Sequence, residues 1–529
     1  MDGRFRCPVA SNDPKPGRES STSAIRDDRK KNWRSLRDSN SCFRLERATS
    51  WTTRRRERDG ARRGSITEIC LRTTPRRSPE EAICLNHETL TAPAHDPHVI
   101  PRDQHCISRR NISKAALRVL YGLHEAGYRS LLVGGAVRDL LLGRQPKDFD
   151  IATDATPEQV RKLFRNCRLI GRRFRLAHVV FGREIIEVAT FRGTGESGDG
   201  DRHIVDGRIV RDNIWGTIEE DARRRDFRVN AMYYDIASFS VLDEVGGMQD
   251  LEDRVLRLIG DPETRYREDP VRMLRAARLA AKLDFDIHPS AAAPFAELAP
   301  LLGEAASARL FDECLKLFMA GHALKSFRTL RRYGLLAPLF PATARALDAG
   351  DEVLEQMIEL GMANTDARVA EDKPVTPAFL FAVLLWGEVR ELAARLIDEG
   401  QTPSLAWQRA AHRVVSAQAQ HVSIPRRFSH MMEEIWVLQQ RFTHRTRKRT
   451  LRLMSHARFR AAYDFLLLRA GESEEIGELG QWWTQAQELP EQELAAQLDP
   501  SSRPEAAPSK RRRRRRGGRR RSPQGDKAD

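Results

Sequence analysis

The sequence predicts an α+β protein: a head built on a mixed sheet, followed by a long, purely helical region. Three observations carry this. Strand-like segments cluster between Leu131 and Phe191, interleaved with short helices. From about residue 216 the apolar pattern turns helical and stays so to about 490. Both ends depart from these patterns, with arginine-rich stretches that lack apolar periodicity.

Periodic structure begins near Ser113. Leu117, Leu120, Tyr121 and His124 form a helical stripe, and Gly127 is placed to end it. Leu131-Leu132-Val133 reads as a short buried strand entering Gly134-Gly135. Val137 to Leu142 reads as a helix stopped by Gly143, and a strand carrying Asp148 and Asp150 comes next. Thr156-Pro157-Glu158-Gln159 has the form of a capping box with proline at the first helical position. His178 to Phe181 and Glu184 to Phe191 predict a hairpin around Gly182-Arg183, and Gly193 to Gly207 a loop rich in Gly and Asp. Leu310, Phe311, Cys314, Leu315 and Phe318 mark an amphipathic helix in the region that follows.

Composition narrows the function. The 529 residues are 40% hydrophobic and 31% charged, with net charge +16, which suits a protein with real cores and a polyanionic partner. The seven cysteines show no zinc-type spacing and read as free thiols in a reducing cytoplasm. The longest apolar run, Pro377 to Trp386, is too short to cross a bilayer. Residues 1–100 read as a disordered basic extension, and Lys510 to Arg521 has ten basic residues in twelve positions.

Four clusters carry chemistry. Asp148 and Asp150 are two apart, so a strand projects both carboxylates to one side and turns Phe149 into the core. Such a pair repels itself unless a cation such as Mg²⁺ lies between the acids. Gly134 and Gly135 open a close approach for phosphate at a helix start, with Arg138 one turn on. Glu187 interrupts the apolar strand Ile185-Ile186-Glu187-Val188-Ala189; it is either a third acid at the site or the structural partner of an arginine. Arg223-Arg224-Arg225-Asp226-Phe227-Arg228-Val229-Asn230 could neutralise a triphosphate, with Asp226 and Asn230 on one helical face. In the fourth, Arg272, Arg275 and Arg278 recur every three residues and Asp269 stands three before Arg272, close enough to pair with it.

Taken together, Gly-Gly-x-Val-Arg-Asp, Asp-Phe-Asp, Arg-Arg-Asp-Phe and Glu-Asp-Pro-x-Arg-Met-Leu-Arg-Ala resemble class II nucleotidyltransferases, the group of bacterial poly(A) polymerases and CCA-adding enzymes. The resemblance runs from about Ile100 to Ala470. Arg168 to Phe174, followed by His178, looks like the poly(A) polymerase branch. One departure is Arg228-Val229, where the family more often has Thr-Ile.

The resemblance implies a polymerase β-like head with a small mixed sheet at 101–240, a helical neck with base recognition at 241–335, a body and RNA-binding region at 336–490, and a basic tail at 491–529. It implies AMP transfer from ATP to RNA 3′ ends with Mg²⁺ or Mn²⁺ held by Asp148 and Asp150. Glu187 and Asp226 become further acidic positions of the site. Asp269 and Arg272 would face adenine, and Gly134, Gly135, Arg138 and Asn230 would hold triphosphate and ribose. Arg445, Arg447, Lys448 and Arg449, with Phe442 and Phe459 nearby for stacking, would grip RNA. RNA decay machinery and an RNA chaperone are the partners the resemblance suggests. A CCA-adding enzyme, and a non-catalytic RNA-binding protein of the same fold, are the competing expectations.

Overall fold

A computed structural model describes residues 98–498, apart from 172–174, 194–199 and 206–207. The N-terminal extension, the middle of the Gly-Asp loop and the arginine tail lie outside the described residues. The head is organised by one eight-stranded mixed sheet. Its strands are β1 (His98–Ile100), β2 (Ser130–Val133), β3 (Asp150–Thr153), β4 (Cys167–Ile170), β5 (Leu176–Phe181), β6 (Glu184–Thr190), β9 (Met232–Asp235) and β10 (Val241–Asp243), after the separate hairpin β7 (Gly200–Val205) and β8 (Arg208–Ile214). The order is β1-β10-β9-β2-β3-β6-β5-β4; β3 and β6 are parallel and the other neighbours antiparallel.

Local chemistry sets the ends of these elements. Helix α1 (Lys114–Glu125) is capped by Ser113, whose side chain accepts from the Ala116 N–H at 3.0 Å. Helix α2 (Gly135–Leu141) follows β2 directly. Helix α3 (Pro157–Leu163) starts at the predicted capping box: the Thr156 N–H donates to Gln159 at 2.7 Å and the Gln159 N–H to Thr156 at 3.4 Å. The β5–β6 hairpin turns at Gly182, as expected.

Three expectations need correction. Helix α4 (Ile218–Arg224) does begin near 216, but the chain then returns to the sheet as β9 and β10. Met232, Tyr233 and Tyr234 are buried on both faces, so they show no alternation to mark a strand. The 193–207 stretch is not simply a loop, since Gly200–Val205 pairs with Arg208–Ile214. Among the cysteines, Cys167 and Cys314 are free thiols while Cys106 is disulfide-bonded.

The neck begins after helix α5 (Gly247–Glu252) with helices α6 (Pro262–Glu268) and α7 (Val271–Leu283). Apolar residues of α7 join the main core, while its basic residues reach outward to separate acids. Arg275 Nε donates to Asp226 at 2.8 Å, Arg278 lies 3.4 Å from Glu313, and Lys282 donates to Asp139 at 3.1 Å. Two of these partners belong to the head, so α7 ties neck to sheet. The helices beyond continue to Glu491–Gln497, a helix at positions expected to open the tail. Among the described residues no helix is long and apolar enough to cross a membrane.

The Asp226–Arg275 pair links head and neck, and the arginine holds the Asp226 carboxyl below its usual range against the cost of burial. Arg275→Ala should cost about 3 kcal/mol, the low end for a broken buried pair because a third of the Arg275 side chain reaches solvent. The pair's contribution is complete above the ordinary carboxylate pKa of about 4 and is withdrawn as pH falls through the lower folded value. Urea midpoints of both proteins from pH 3 to pH 7 check this; the gap should narrow on the acid side, and a gap constant with pH would refute it.

Candidate active site

The sheet register lines up one row of paired positions. Tyr233 of β9 is opposite Val133 of β2, Val133 is opposite Asp150 of β3, Asp150 is level with Glu187 of β6, and Glu187 is opposite His178 of β5. Residues level across strands share a face. That face is lined by Leu131, Val133, Ala152 and Tyr233 and packed by Ile218 and Ala222 of α4. The polar end of the row, Asp150-Glu187-His178, is left uncovered by this small core.

Asp148 lies two residues before β3, on the exposed approach to it, and Phe149 is buried in the main core as expected. The crowding of acids shows at Asp150. Its carboxyl is pushed up to about 6, first by desolvation among protein atoms, then by Glu187; Arg225 pulls the other way, ahead of a smaller push from Asp148. Asp150 still reaches solvent, which screens these effects. Glu187 takes neither expected partner alone: it neighbours Asp150 and lies 3.4 Å from His178 rather than near an arginine.

A divalent cation fits this donor set. Two carboxylates beside a phosphate cradle, strained by mutual repulsion, are hard oxygen ligands of the kind Mg²⁺ takes. Among the described residues no three His, Cys, Asp or Glu side chains converge to hold an ion unaided. Asp148 and Asp150 would therefore share the ion with oxygens of a substrate.

The cradle is Gly134, which leaves β2 at φ +74°, a conformation that favours glycine. Its N–H donates to the Met232 carbonyl at 3.3 Å. The open side of Gly134 faces Arg225, whose Nη1 would lie 3.4 Å from an added Cβ. Arg225 was visible in sequence only as one of four arginines; the structure singles it out as the guanidinium beside both Gly134 and Asp150.

Arg138, expected on phosphate, is already engaged. It is buried, its Nε and Nη2 donate to Asp139 at 2.9 and 2.6 Å, and its Nη1 donates to Asn230. Asn230 in turn donates to Asp226 at 3.2 Å, across a 3-10 turn rather than along the α-helical face expected. Asp226 also accepts from the Phe227 N–H and from Arg275. The structure thus joins Arg138, Asn230 and Asp226 in one hydrogen-bonded chain beside Gly135. Arg228, at the departure from the family pattern, acts on Asp250 instead.

The expected Asp269–Arg272 pair is not formed. Asp269 is held by both Nη atoms of Arg309, at 2.8 and 2.7 Å. Arg272 donates to Glu268 at 2.9 Å and to the Arg265 carbonyl at 2.5 Å. Asp269 caps the turn into α7, which aims its carboxylate at Arg309 rather than along the helix.

Three segments match family profiles: residues 130–257 the "Poly A polymerase head domain", 284–347 the "Probable RNA and SrmB- binding site of polymerase A", and 399–520 the "Polymerase A arginine-rich C-terminus". Poly(A) polymerase I of Salmonella typhi is 49% identical over 452 residues, 83% of this chain and 95% of that protein. Poly(A) polymerase I of Escherichia coli O6:H1 is 53% identical over 397 residues, covering 74% and 85%. This chain belongs to the poly(A) polymerase I family. A CCA-adding enzyme of Lactobacillus helveticus is a more distant relative, 36% identical over 40% of this chain and 52% of that one. The solved Thermotoga maritima CCA-adding enzyme with tRNA superposes with TM-score 0.51 at 19% identity, covering 76% of this chain and 94% of that one, and so shares the nucleotidyltransferase fold.

Within this poly(A) polymerase family member, the basic stretch lies where the sequence put it. Arg445, Arg447, Lys448 and Arg449 are exposed at the start of the helix Arg447–Met454, and among the described residues they form no ion pair. Arg445 lies over the Trp482 ring at 5.7 Å. Phe442 and Phe459, expected to stack on bases, are instead buried against Trp483. Trp482, partly exposed, is the aromatic the sequence reading passed over.

Relief of the acid crowding gives a test. Asp150→Asn should stabilise the metal-free protein by about 1 kcal/mol, a screened value for a solvent-reaching group. Mg²⁺ should raise the melting temperature of the parent and not of the variant. Equal response of both proteins to Mg²⁺ would count against Asp150 as a ligand.

Proposed function

We propose that this protein is a template-independent polynucleotide adenylyltransferase, transferring AMP from ATP to the 3′ ends of RNA. The observation that carries the reading is the row Val133–Asp150–Glu187, which sets the acids directly beside the Gly134 cradle and Arg225. The near-full-length similarity to poly(A) polymerase I supports the adenylate product over a CCA end.

In this reading the RNA 3′-hydroxyl attacks the α-phosphate of ATP and pyrophosphate leaves. Asp148 and Asp150 would hold Mg²⁺ or Mn²⁺, which when bound would supply charge neutralisation at the reacting phosphate and acidify the attacking hydroxyl. Glu187, level with Asp150 and half-buried, orients that hydroxyl or takes its proton. Arg225 offers a fixed positive charge to the departing phosphates. Gly134 and Gly135 let the triphosphate approach the backbone, and Asn230 addresses the ribose. Arg138 and Asp226 support this pocket from behind, through Asn230. Asp269 and Arg272 are assigned to adenine, each oriented by its own partner, Arg309 and Glu268.

RNA is held by Arg445, Arg447, Lys448 and Arg449 and by the tail, in a sequence-independent, salt-sensitive way. The reading also has the enzyme acting in the cytoplasm with RNA decay machinery and an RNA chaperone. The match of residues 284–347 to a family described as a probable RNA and SrmB-binding site supports both RNA contact and a protein partner.

Purified protein should extend an unstructured RNA with ATP well beyond three nucleotides and ignore CTP. Asp148→Ala and Asp150→Ala should bind the same RNA while losing about 10³-fold or more in incorporation. Addition of CTP residues with a fixed stop would instead indicate a CCA-adding activity, and undiminished tailing by both variants would remove the acid pair from the chemistry.

Deleting 510–521 tests the grip on RNA. It should weaken primer binding at low salt and flatten the dependence of log Kd on log salt by about 0.7 per lost phosphate contact. An unchanged slope would assign the affinity to the folded region alone.

A further inference from the structure

Arg225 is held in an unusually complete way. Its Nε and Nη2 donate to Oδ2 of Asp221 at 3.1 and 2.9 Å, and Nε also lies 3.2 Å from the Tyr233 hydroxyl. The Tyr233 hydroxyl donates to the same Asp221 oxygen at 2.7 Å. The Tyr233 ring lies 5.3 Å from the guanidinium carbon. The backbone is fixed as well: Arg265 Nη2 donates to the carbonyls of Arg224 and Arg225 at 2.9 and 2.6 Å. Among the described residues Nη1 alone is left without a hydrogen bond, and it is the atom facing Gly134.

Asp221 and Tyr233 are both buried, Asp221 on α4 and Tyr233 on β9. Tyr233 is paired directly with Val133, the residue before Gly134. Cradle and arginine are therefore both anchored to β9, Gly134 through the Met232 carbonyl and Arg225 through the Tyr233 hydroxyl. A carboxylate alone would leave an arginine several rotamers. A second hydrogen-bond partner and an aromatic face reduce them to one, so less entropy is lost when the free edge meets a phosphate.

We infer that Asp221 and Tyr233 are positioning residues for the incoming nucleotide, locking the Arg225 guanidinium so that its free edge meets the triphosphate at Gly134. This rests on the polymerase reading above, and it assigns to a buried tyrosine and aspartate a role in ATP affinity that burial alone would not give them.

The test is a double-mutant cycle on the full chain, read as Mg-ATP binding by calorimetry and as the KM for ATP. Tyr233→Phe keeps the ring and removes the hydroxyl. It should weaken ATP about ten-fold, the size of one hydrogen bond in a charged network, with the KM for RNA primer unchanged. In an Arg225→Ala background the same substitution should change ATP affinity less than two-fold. Asp221→Glu, which keeps the charge but moves it by one methylene, should show the same dependence on Arg225. ATP affinity equal to the parent in both Tyr233→Phe and Asp221→Glu would overturn the inference. So would an equal loss with and without Arg225, which would mark a general structural effect. A parent protein that binds ATP through this network yet adds no AMP to RNA would refute the polymerase reading and leave the positioning role standing.

Discussion

The whole site depends on strand register. One residue of each of five strands falls in a single row, and the chemistry is read along it from a buried tyrosine through an aspartate and a glutamate to a histidine. A slip of one residue in β3 against β2 would turn Asp150 to the other face and carry Phe149 out of the core. The packing that prevents the slip is apolar: Phe149, Ile151 and Val188 on one face, Leu131, Val133, Ala152 and Tyr233 on the other. The core therefore does not merely support the acids; it fixes which way they point.

Two electrostatic designs lie side by side on this frame. The acids are crowded and exposed, held in a state that a cation would relieve. The basic and acidic groups behind them are paired and mostly buried, from Lys282 through Asp139 and Arg138 to Asn230, Asp226 and Arg275. Unbalanced charge lies at the row of acids, and balanced charge behind it. Arg138 and Asp226, which lie in the same sequence motifs as Gly134 and Arg225, are both spoken for by partners within the fold.

Much of this was legible in the sequence. Spacing of two put Phe149 in the core between two exposed aspartates, the glycine pair marked the turn after β2, and a capping box and a hairpin turn declared themselves by residue type. What stayed hidden was long-range. Met232-Tyr233-Tyr234 is buried on both faces and has no alternation, so β9 could not be recognised, and with it the partner of Arg225. Asp269 and Arg272 are three apart and suggest a pair, but Arg309, forty residues away, outcompetes by offering a two-pronged contact. Phe442 and Phe459 flank a basic stretch yet serve a core, because each lies on the buried face of its own helix, Arg426–Phe442 and Phe459–Leu468.

The central claim is that neighbouring acids and the Gly134–Arg225 edge form one nucleotide site. Diffraction from crystals grown with Mn²⁺ and a non-hydrolysable ATP analogue tests it most directly, using the anomalous signal of the metal. The account predicts an ion ligated by Asp148, Asp150 and phosphate oxygen, with the outer phosphates against Arg225. Carboxylates turned apart, with the ion and the triphosphate bound elsewhere, would contradict it.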